Sequence, residues 1–301
     1  MFIVTNRKIF YILSGLLMLA ALAMLFTWGL NLGIDFKGGS LIEIAYPDGR
    51  PTSQSLEATL TSLSLSGSSI RPTGENGYII RTRTLTETEH NTLLSTLRQG
   101  AKNMEEKRFD SVGPLLGKEA ARKSIFSIVL VIVAIVLFIT FAFRKVSEPV
   151  SSWKYALITV FALFHDVLVP VGVFAALGHF AHVEVDTLFV TALLVILGFS
   201  VHDTIVVFDR VRENLHLNKS YREKKPFDII VGQSINQTFV RSVNTSLTTL
   251  LALVVLYVVG SDTTHYFSLA LIIGIITGTY SSIFLGSPLL VTVERWQNRK
   301  K

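Results

Sequence analysis

The stretch Gly198-Phe-Ser-Val-His-Asp-Thr-Ile-Val-Val-Phe-Asp-Arg-Val-Arg-Glu-Asn214 places two ionisable residues, His202 and Asp203, inside an apolar run that begins near Leu188. A helical rise of ~1.5 Å per residue puts Asp203 ~22 Å along a hydrocarbon layer that is ~30 Å thick. A carboxylate at such a depth costs at least a few kcal/mol unless it is paired, protonated or hydrated. Asp203 is therefore a candidate functional residue within a membrane span.

The composition indicates an integral membrane protein. Of the 301 residues, 50% are hydrophobic and 17% are charged, and the mean hydropathy is +0.49. A soluble domain with this composition would expose large apolar patches. Six apolar segments are predicted to span the membrane, at residues 9–28, 125–143, 155–177, 187–208, 243–259 and 266–291. The fifth reaches the required ~20 residues only if it begins near Thr238.

The first apolar segment could instead be a cleaved signal peptide, since Arg7 and Lys8 precede it and Ala21-Leu-Ala23 resembles a cleavage site. Its apolar run continues past that site to Trp28. Because this is too long for the hydrophobic region of a signal peptide, we interpret the segment as a membrane anchor.

Basic residues predict the orientation of the spans, because short cytoplasmic loops collect Lys and Arg. The short loops 178–186 and 260–265 contain neither residue type. The basic residues fall at the opposite ends of the spans: Arg7, Lys8, Arg144, Lys145, Lys154, Arg210 to Lys225, and Arg295 to Lys301. Both termini are thus expected to be cytoplasmic and residues 29–124 external. This topology accounts for the net charge of +6, so nucleic-acid binding is not expected, and the absence of Cys excludes disulfides.

The large external segment is predicted to fold as one small α+β domain. Its pattern is strand, helix, strand, strand, helix, strand, which is the ferredoxin-like order. Thr86-Glu-Thr-Glu89 is a capping box that begins the second helix. The fold class is therefore an α-helical polytopic membrane protein with six transmembrane helices and one external ferredoxin-like domain between helices 1 and 2. The expected domains are residues 1–32, 33–117 and 118–301.

Asp203 and Arg241 are predicted to lie at similar depth, near the cytoplasmic ends of the fourth and fifth spans. A carboxylate is favoured in its charged form beside a permanent cation and in its protonated form against an apolar wall. Movement of the partner would therefore switch the proton on and off, which makes the pair a candidate proton relay. The alternatives are a static ion pair for Asp203 and an interfacial anchor for Arg241.

His165 and Asp166 form a second His-Asp pair, ~17 Å along the third span from Tyr155. They are candidate auxiliary residues, or a hydrogen-bonded pair that merely joins helices. The other candidate auxiliary residues are His202, Thr204 and Asp209. The chain has no Cys, no His-Glu-x-x-His zinc motif and no nucleotide-binding loop. We therefore expect no metal, no cofactor and no enzymatic activity, and an ion gradient would be the available source of energy.

Two further patterns predict packing. Residues 227–239 are apolar at Phe227, Ile230, Val231, Ile235 and Phe239, which favours a helix that lies on the membrane surface. In the sixth span a strip of small residues recurs every fourth position and would allow another helix to approach closely. The small-residue strip consists of Gly274, Gly278, Ser282 and Gly286.

Nearly the whole chain resembles the SecF family of bacterial protein-translocase subunits. The matching motifs are Gly33-Ile-Asp-Phe-Lys-Gly-Gly39, Val112-Gly-Pro-Leu-Leu-Gly-Lys-Glu119, Asp203 to Asn214, Ser234-Ile-Asn-Gln-Thr238, Asn244-Thr-Ser-Leu-Thr-Thr249 and Gly278-Thr-Tyr-Ser-Ser282. The family's intramembrane Asp and Arg match Asp203 and Arg241. His202 stands where the family usually has Asn, and a histidine can itself titrate.

The resemblance implies an accessory subunit of the bacterial plasma membrane, related in architecture to the resistance-nodulation-division exporters. Its expected partners are SecD, the SecYEG channel, preproteins on the external side and membrane lipid. It would use the proton gradient to promote preprotein export. The competing hypotheses are half of a proton-driven small-molecule exporter and an assembly scaffold that transduces no energy. A scaffold would not need Asp203.

Overall fold

The computed structural model describes residues 2–101, 103–144, 150–220 and 225–298. In chain order the elements are α1 (Phe2–Thr5), α2 (Arg7–Trp28), α3 (Ile34–Lys37), β1 (Gly39–Ala45), α4 (Ser53–Ser62), β2 (Ser69–Thr73), β3 (Gly77–Thr82), α5 (Glu87–Gly100), β4 (Glu105–Val112), α6 (Pro114–Ala142), α7 (Ser152–Phe180), α8 (Thr187–Ser220), α9 (Phe227–Val259), α10 (Asp262–Ser281), a π-helical turn (Ser282–Gly286) and α11 (Ser287–Asn298). They form two compact units, one of residues 32–125 and one of the segments before and after it.

Six helical segments of the described chain are long and apolar enough to cross a membrane. They are α2, α6, α7, α8, α9 and the continuous segment Thr264–Asn298, which includes the π-helical turn. The prediction of six spans is therefore confirmed. The helices extend beyond the apolar runs, because polar residues continue the same backbone hydrogen bonding: α8, for example, ends only at Ser220.

The prediction of a separate helix on the membrane surface at residues 227–239 is wrong. Those residues form the first part of α9, which continues unbroken through the fifth span. Phe227, Ile230, Val231 and Ile235 are buried in the core of the helical unit. Their apolar stripe therefore packs against neighbouring helices of the chain, a role that such a stripe can serve as well as lipid contact.

Residues 32–125 contain a four-stranded antiparallel sheet in the order β2-β3-β1-β4. With α4 and α5 as the two crossover helices, this is the predicted ferredoxin-like arrangement. The central strands alternate, so that Ile42 and Ile80 pair and are fully buried against Leu60 and Leu93 from the two helices. Pro72 lies on the edge strand β2, where a missing amide donor is tolerated.

The glycine-rich segment before β1 is required by close backbone contacts. Gly38 and Gly39 have φ values of +77° and +128°, a region that L side chains rarely adopt. A Cβ atom would lie 2.8 Å from the Cα atom of Pro114 at the first position and 2.7 Å from the Thr82 carbonyl oxygen at the second. These contacts account for both glycines as packing residues. The expected domain boundary at residue 117 falls inside α6, which begins at Pro114.

Candidate functional site

The carboxylate of Asp166 joins three helices in the middle of the helical unit. Asp166 is fully buried on α7, and its Oδ1 atom lies 2.8 Å from Nδ1 of His165. Its Oδ2 atom accepts a hydrogen bond from Ser281 on α10 at 2.7 Å and another from Ser200 on α8. The group is thus held by hydrogen-bond partners from three helices, α7, α8 and α10.

His165 leaves one ring nitrogen without a partner. Its side chain is fully buried, and Nε2 has no hydrogen-bond partner in the described part of the chain. The ring of Tyr280 is its aromatic neighbour, with centroids 6.1 Å apart. A buried polar group left unsatisfied costs ~1–3 kcal/mol, and such exceptions in a fold often mark water or a functional site.

Asp203 occupies a second, similar site on α8. It is 6% exposed, and its Oδ2 atom accepts a hydrogen bond from Ser282 Oγ at 2.5 Å. The neighbouring Thr204 is fully buried, and its hydroxyl has no hydrogen-bond partner among the described residues. Because Ser200 and Asp203 are three residues apart on one helix, the two carboxylate sites are separated by about one helical turn.

Ser281 and Ser282 connect the two sites, since these consecutive residues each donate to one carboxylate. The π-helical turn begins at Ser282, and Ser287 donates to the Ser282 carbonyl at 2.7 Å, five residues back. Single π-helical turns inside α-helices are frequent at functional sites. We call Asp166, His165, Ser200, Asp203, Ser281 and Ser282 the carboxylate network.

The structure does not bring Arg241 to Asp203. No ion pair joins the two residues within the described ranges, and the side chain of Arg241 is exposed. Thr238, Ser242 and Ser246 form the buried stripe of α9. Arg241 precedes Ser242 by one residue, and one residue turns the side chain by ~100° around a helix, which places it outside the stripe. The expected contact is therefore not made within this chain.

Two other candidate residues also lie outside the network. His202 is exposed on α8 although both of its neighbours in sequence are buried. Asp209 is exposed and pairs with Arg212 at 2.5 Å, three residues along the same helix. Exposed pairs of this kind contribute only ~0.3–0.5 kcal/mol. Of the candidate auxiliary residues, His165, Asp166 and Thr204 are buried at or beside the network.

The small-residue strip packs within the chain. A Cβ atom on Gly274 would lie 2.2 Å from the Ile196 side chain, and one on Gly278 would lie 3.2 Å from Cβ of Ser200. The strip therefore brings α10 against α8, and it places Ser282 next to Asp203. Because helices of this chain cover it, the strip is unavailable as a contact surface for another protein.

Sequence analysis missed Ser200 and Ser281 and recognised Ser282 only as a small residue. Serines are common in membrane helices as packing residues, so type alone does not single them out. Ser200 lies three residues before Asp203 on the same helix, but Ser281 has no such signal, because it lies on a different helix from both Asp residues. Among the residues that the structure describes, no group of three or more His, Asp or Glu side chains could hold a metal ion. The network offers carboxylates and an imidazole, which can bind and release protons, and serine hydroxyls that donate hydrogen bonds to the carboxylates.

Comparisons with known proteins identify the family. The model of the C-terminal part of the protein export membrane proteins SecD and SecF matches residues 92–296, and the SecD/SecF GG motif matches residues 23–46. The protein translocase subunit SecF of Thermobaculum terrenum is 44% identical, with 99% of this chain and 94% of that protein covered. For the SecF subunit of Sebaldella termitidis the identity is 39%, over 98% and 92% of the two chains.

A solved structure agrees in fold. The crystal structure of SecDF from Thermus thermophilus, titled a translocon-associated membrane protein, superposes with a TM-score of 0.83 at 29% identity. The match covers 98% of this chain and 38% of that one. This chain thus spans about two fifths of the SecDF polypeptide. From these matches, the chain belongs to the SecF group of the SecD/SecF family of protein export membrane proteins.

Proposed function

We propose that this chain acts in Sec-dependent export as a proton-driven subunit, and that Asp203 takes up and releases the transported proton. The observation that carries the proposal is the carboxylate network. Asp203 is buried among apolar spans, and a neutral hydroxyl is its hydrogen-bond donor within the described ranges. Each elementary charge that crosses a potential of 100 mV releases ~2.3 kcal/mol, which is enough to bias a conformational equilibrium.

A SecD-like subunit is the proposed membrane partner, and the exposed side of α9 is its proposed contact surface. That side carries Arg241, Asn244, Thr245 and Thr248, all exposed. The guanidinium of Arg241 and the amide of Asn244 make no hydrogen bond within the described parts of the chain. Such groups are costly against lipid, so a second membrane protein is expected to cover them and to supply a countercharge for Arg241.

The size of the solved relative supports the same partner. The SecDF polypeptide continues well beyond the part that this chain matches. We further propose that both termini are cytoplasmic, that the ferredoxin-like unit is external and meets preproteins there, and that the complex acts beside the SecYEG channel of the bacterial inner membrane. The unequal distribution of Lys and Arg supports this orientation.

The test compares Asp203→Asn with Asp209→Asn in membrane vesicles that contain this chain as the sole SecF subunit. Asn keeps the size and hydrogen bonding of Asp203 but cannot exchange a proton. We expect Asp203→Asn to abolish the gradient-dependent completion of preprotein export while the amount of assembled complex stays unchanged. Asp209→Asn, which changes an exposed carboxylate on the same helix, should leave both quantities intact.

Two results would contradict this function. Normal gradient-dependent export with Asp203→Asn would exclude Asp203 as the proton carrier. Loss of the assembled complex with that variant would favour a scaffold, in which the carboxylate is needed only for packing. The orientation is tested separately, because the chain lacks Cys. Ser68→Cys should react with an impermeant thiol reagent from the external side.

A further inference from the structure

We propose that Asp166 and His165 form a second proton-exchanging position in the spans, one helical turn from Asp203 and linked to it through Ser281 and Ser282. This inference rests on the proposed proton-driven function and adds a residue pair to it. In this arrangement a proton can occupy either of two buried positions, and the sixth span contacts both of them.

Asp166 and Asp203 have equivalent environments. Each is buried, and each accepts a hydrogen bond from one of two consecutive serines of the sixth span. A rotation or shift of that span at the π-helical turn would change both hydrogen bonds together. A purely structural pair joining α7 to its neighbours would have no need of a shared connection to Asp203.

Asp166 has no Lys or Arg as an ion-pair partner in the described ranges of the chain. The apolar parts of the elements that surround it, residues 9–28, 155–177, 188–208 and 266–291, contain no Lys or Arg. The titratable groups that face this region are His165 on α7, Asp203 on α8 and Tyr280 on the sixth span, whereas Tyr11 of α2 is hydrogen-bonded to Thr292. Uptake of one proton would therefore remove a charge that no cation balances.

The Nε2 atom of His165 has no hydrogen-bond partner among the residues that the structure describes. When Asp166 is ionised, Nδ1 of His165 carries a hydrogen and donates it, so that Nε2 is a bare acceptor. When one carboxylate oxygen takes up a proton, the new O–H group can donate to Nδ1, and Nε2 then carries the ring hydrogen. Release of the proton reverses both changes. The two arrangements thus differ by one proton: Nε2 is bare in one and carries the ring hydrogen in the other.

The test is infrared difference spectroscopy of the full chain, purified and reconstituted with its membrane partner, between neutral and acid buffer. The carbonyl stretch of protonated carboxyl groups reports each buried acid directly. We expect Asp166→Asn and Asp203→Asn each to remove a different component, and both components to exchange slowly in heavy water. Asp209→Asn is the matched control, because Asp209 is exposed on the same helix as Asp203 and its component should exchange at once.

His165→Phe distinguishes proton exchange by the pair from a purely structural role of His165. It should displace the pH midpoint of the Asp166 component and leave that of the Asp203 component in place. If Asp166→Asn does not fold, Ser281→Ala keeps the carboxylate and should displace the same midpoint. A spectrum that Asp166→Asn leaves unchanged, or an Asp166 midpoint that neither of the other two variants moves, would overturn the proposal.

The infrared measurement tests the second proton position independently of the proposed function. The infrared components report proton binding without any preprotein, whereas the vesicle assay reports gradient-dependent export. Two titrating carboxyls with gradient-independent export would refute the proposed function alone. An Asp166 that never titrates, with export that still depends on Asp203, would refute only the second position.

Discussion

The six spans divide into three that are buried in the chain and three that are not. In the most apolar stretch of each span, 61% of the residues are buried in α7, 50% in α8 and 61% in the sixth span. The corresponding values are 11% for α2, 6% for α6 and 17% for α9. All six residues of the carboxylate network come from the first group. The carboxylate network is therefore placed where protein surrounds it, whereas the exposed side of α9 still carries polar residues such as Arg241.

The two groups also differ in how closely they can be packed. In lipid, helices gain little from burying apolar side chains, so contact through small residues dominates their association. A Cβ atom on Gly172 of α7 would lie 2.5 Å from both Cα and Cβ of Ala21 on α2. At Gly15, on the outer helix α2, no described residue outside the adjacent helical turns has an atom within 4 Å of such a position. The two glycines therefore test the comparison directly.

The largest expected effect is that of Gly172→Val. Because the contact includes backbone atoms of Ala21, the helices must move apart, and overpacking of this kind costs ~1–3 kcal/mol or more. We expect a clear fall in the midpoint of thermal unfolding in detergent. Gly15→Val is the control and should change the midpoint little. Equal effects of the two substitutions would show that the close contact of Gly172 with Ala21 does not determine whether a larger side chain is tolerated.

A smaller loss of stability is expected for Ser281→Ala. A typical intramolecular hydrogen bond contributes ~0.5–1.5 kcal/mol, and Asp166 would keep its contacts with Ser200 and His165. Ser268→Ala is the matched control, since Ser268 is also fully buried on α10 but donates only to carbonyl oxygens of its own helix. The same unfolding measurement applies. If Ser268→Ala destabilised the protein as strongly as Ser281→Ala, the hydrogen bond to Asp166 would contribute no more than one to a helix carbonyl.

Arg241→Ala should affect association more than folding. Its side chain is exposed and forms no ion pair within the described residues. The free energy of unfolding of the isolated chain should therefore stay within ~0.5 kcal/mol of the wild-type value. Co-purification of the membrane partner from detergent extracts should fall, because the proposed countercharge would lose its cation. Lys154→Ala, a basic residue of α7, is the control. If co-purification of the partner with Arg241→Ala were undiminished, the proposal that α9 is the contact surface would be wrong.

The sequence predicted the elements that follow from long repeating patterns. It did not predict towards which neighbour an individual side chain points. The six spans and the strand order follow from run lengths and periodicity, and the structure has both. The apolar stripe of residues 227–239 fits a lipid surface or a neighbouring helix equally well, and the structure uses it for the second. Similar depth suggested that Arg241 faces Asp203, but depth does not specify the angle around the helix. The π-helical turn has no sequence pattern that predicts it.

The smallest expected effect concerns a carboxylate in the opposite environment, Glu89 in the ferredoxin-like unit. It is solvent-accessible and belongs to the capping box of α5, with its Oε2 atom accepting from the Thr86 amide at 2.8 Å. Hydrogen bonds from Arg83, which is the largest cause, and from Thr86 together lower the pKa of Glu89 from 4.5 to about 2. A carboxyl whose pKa is depressed by folding stabilises the folded state above its unfolded pKa. That stabilisation declines as the pH falls below the unfolded value and is gone once the pH has passed about 2.

Hydrogen exchange of the full chain should therefore show weaker protection of the first-turn amides of α5 at about pH 3 than at neutral pH, after correction for the intrinsic exchange rates. The change should be small, because the groups are exposed and water screens the Arg83–Glu89 pair. Glu89→Gln should remove this pH dependence, while Glu87→Gln, a change in the same turn but outside the capping box, should keep it. If Glu87→Gln also removed it, the helix dipole acting on both carboxylates would be the cause, and the hydrogen bonds of Glu89 would not.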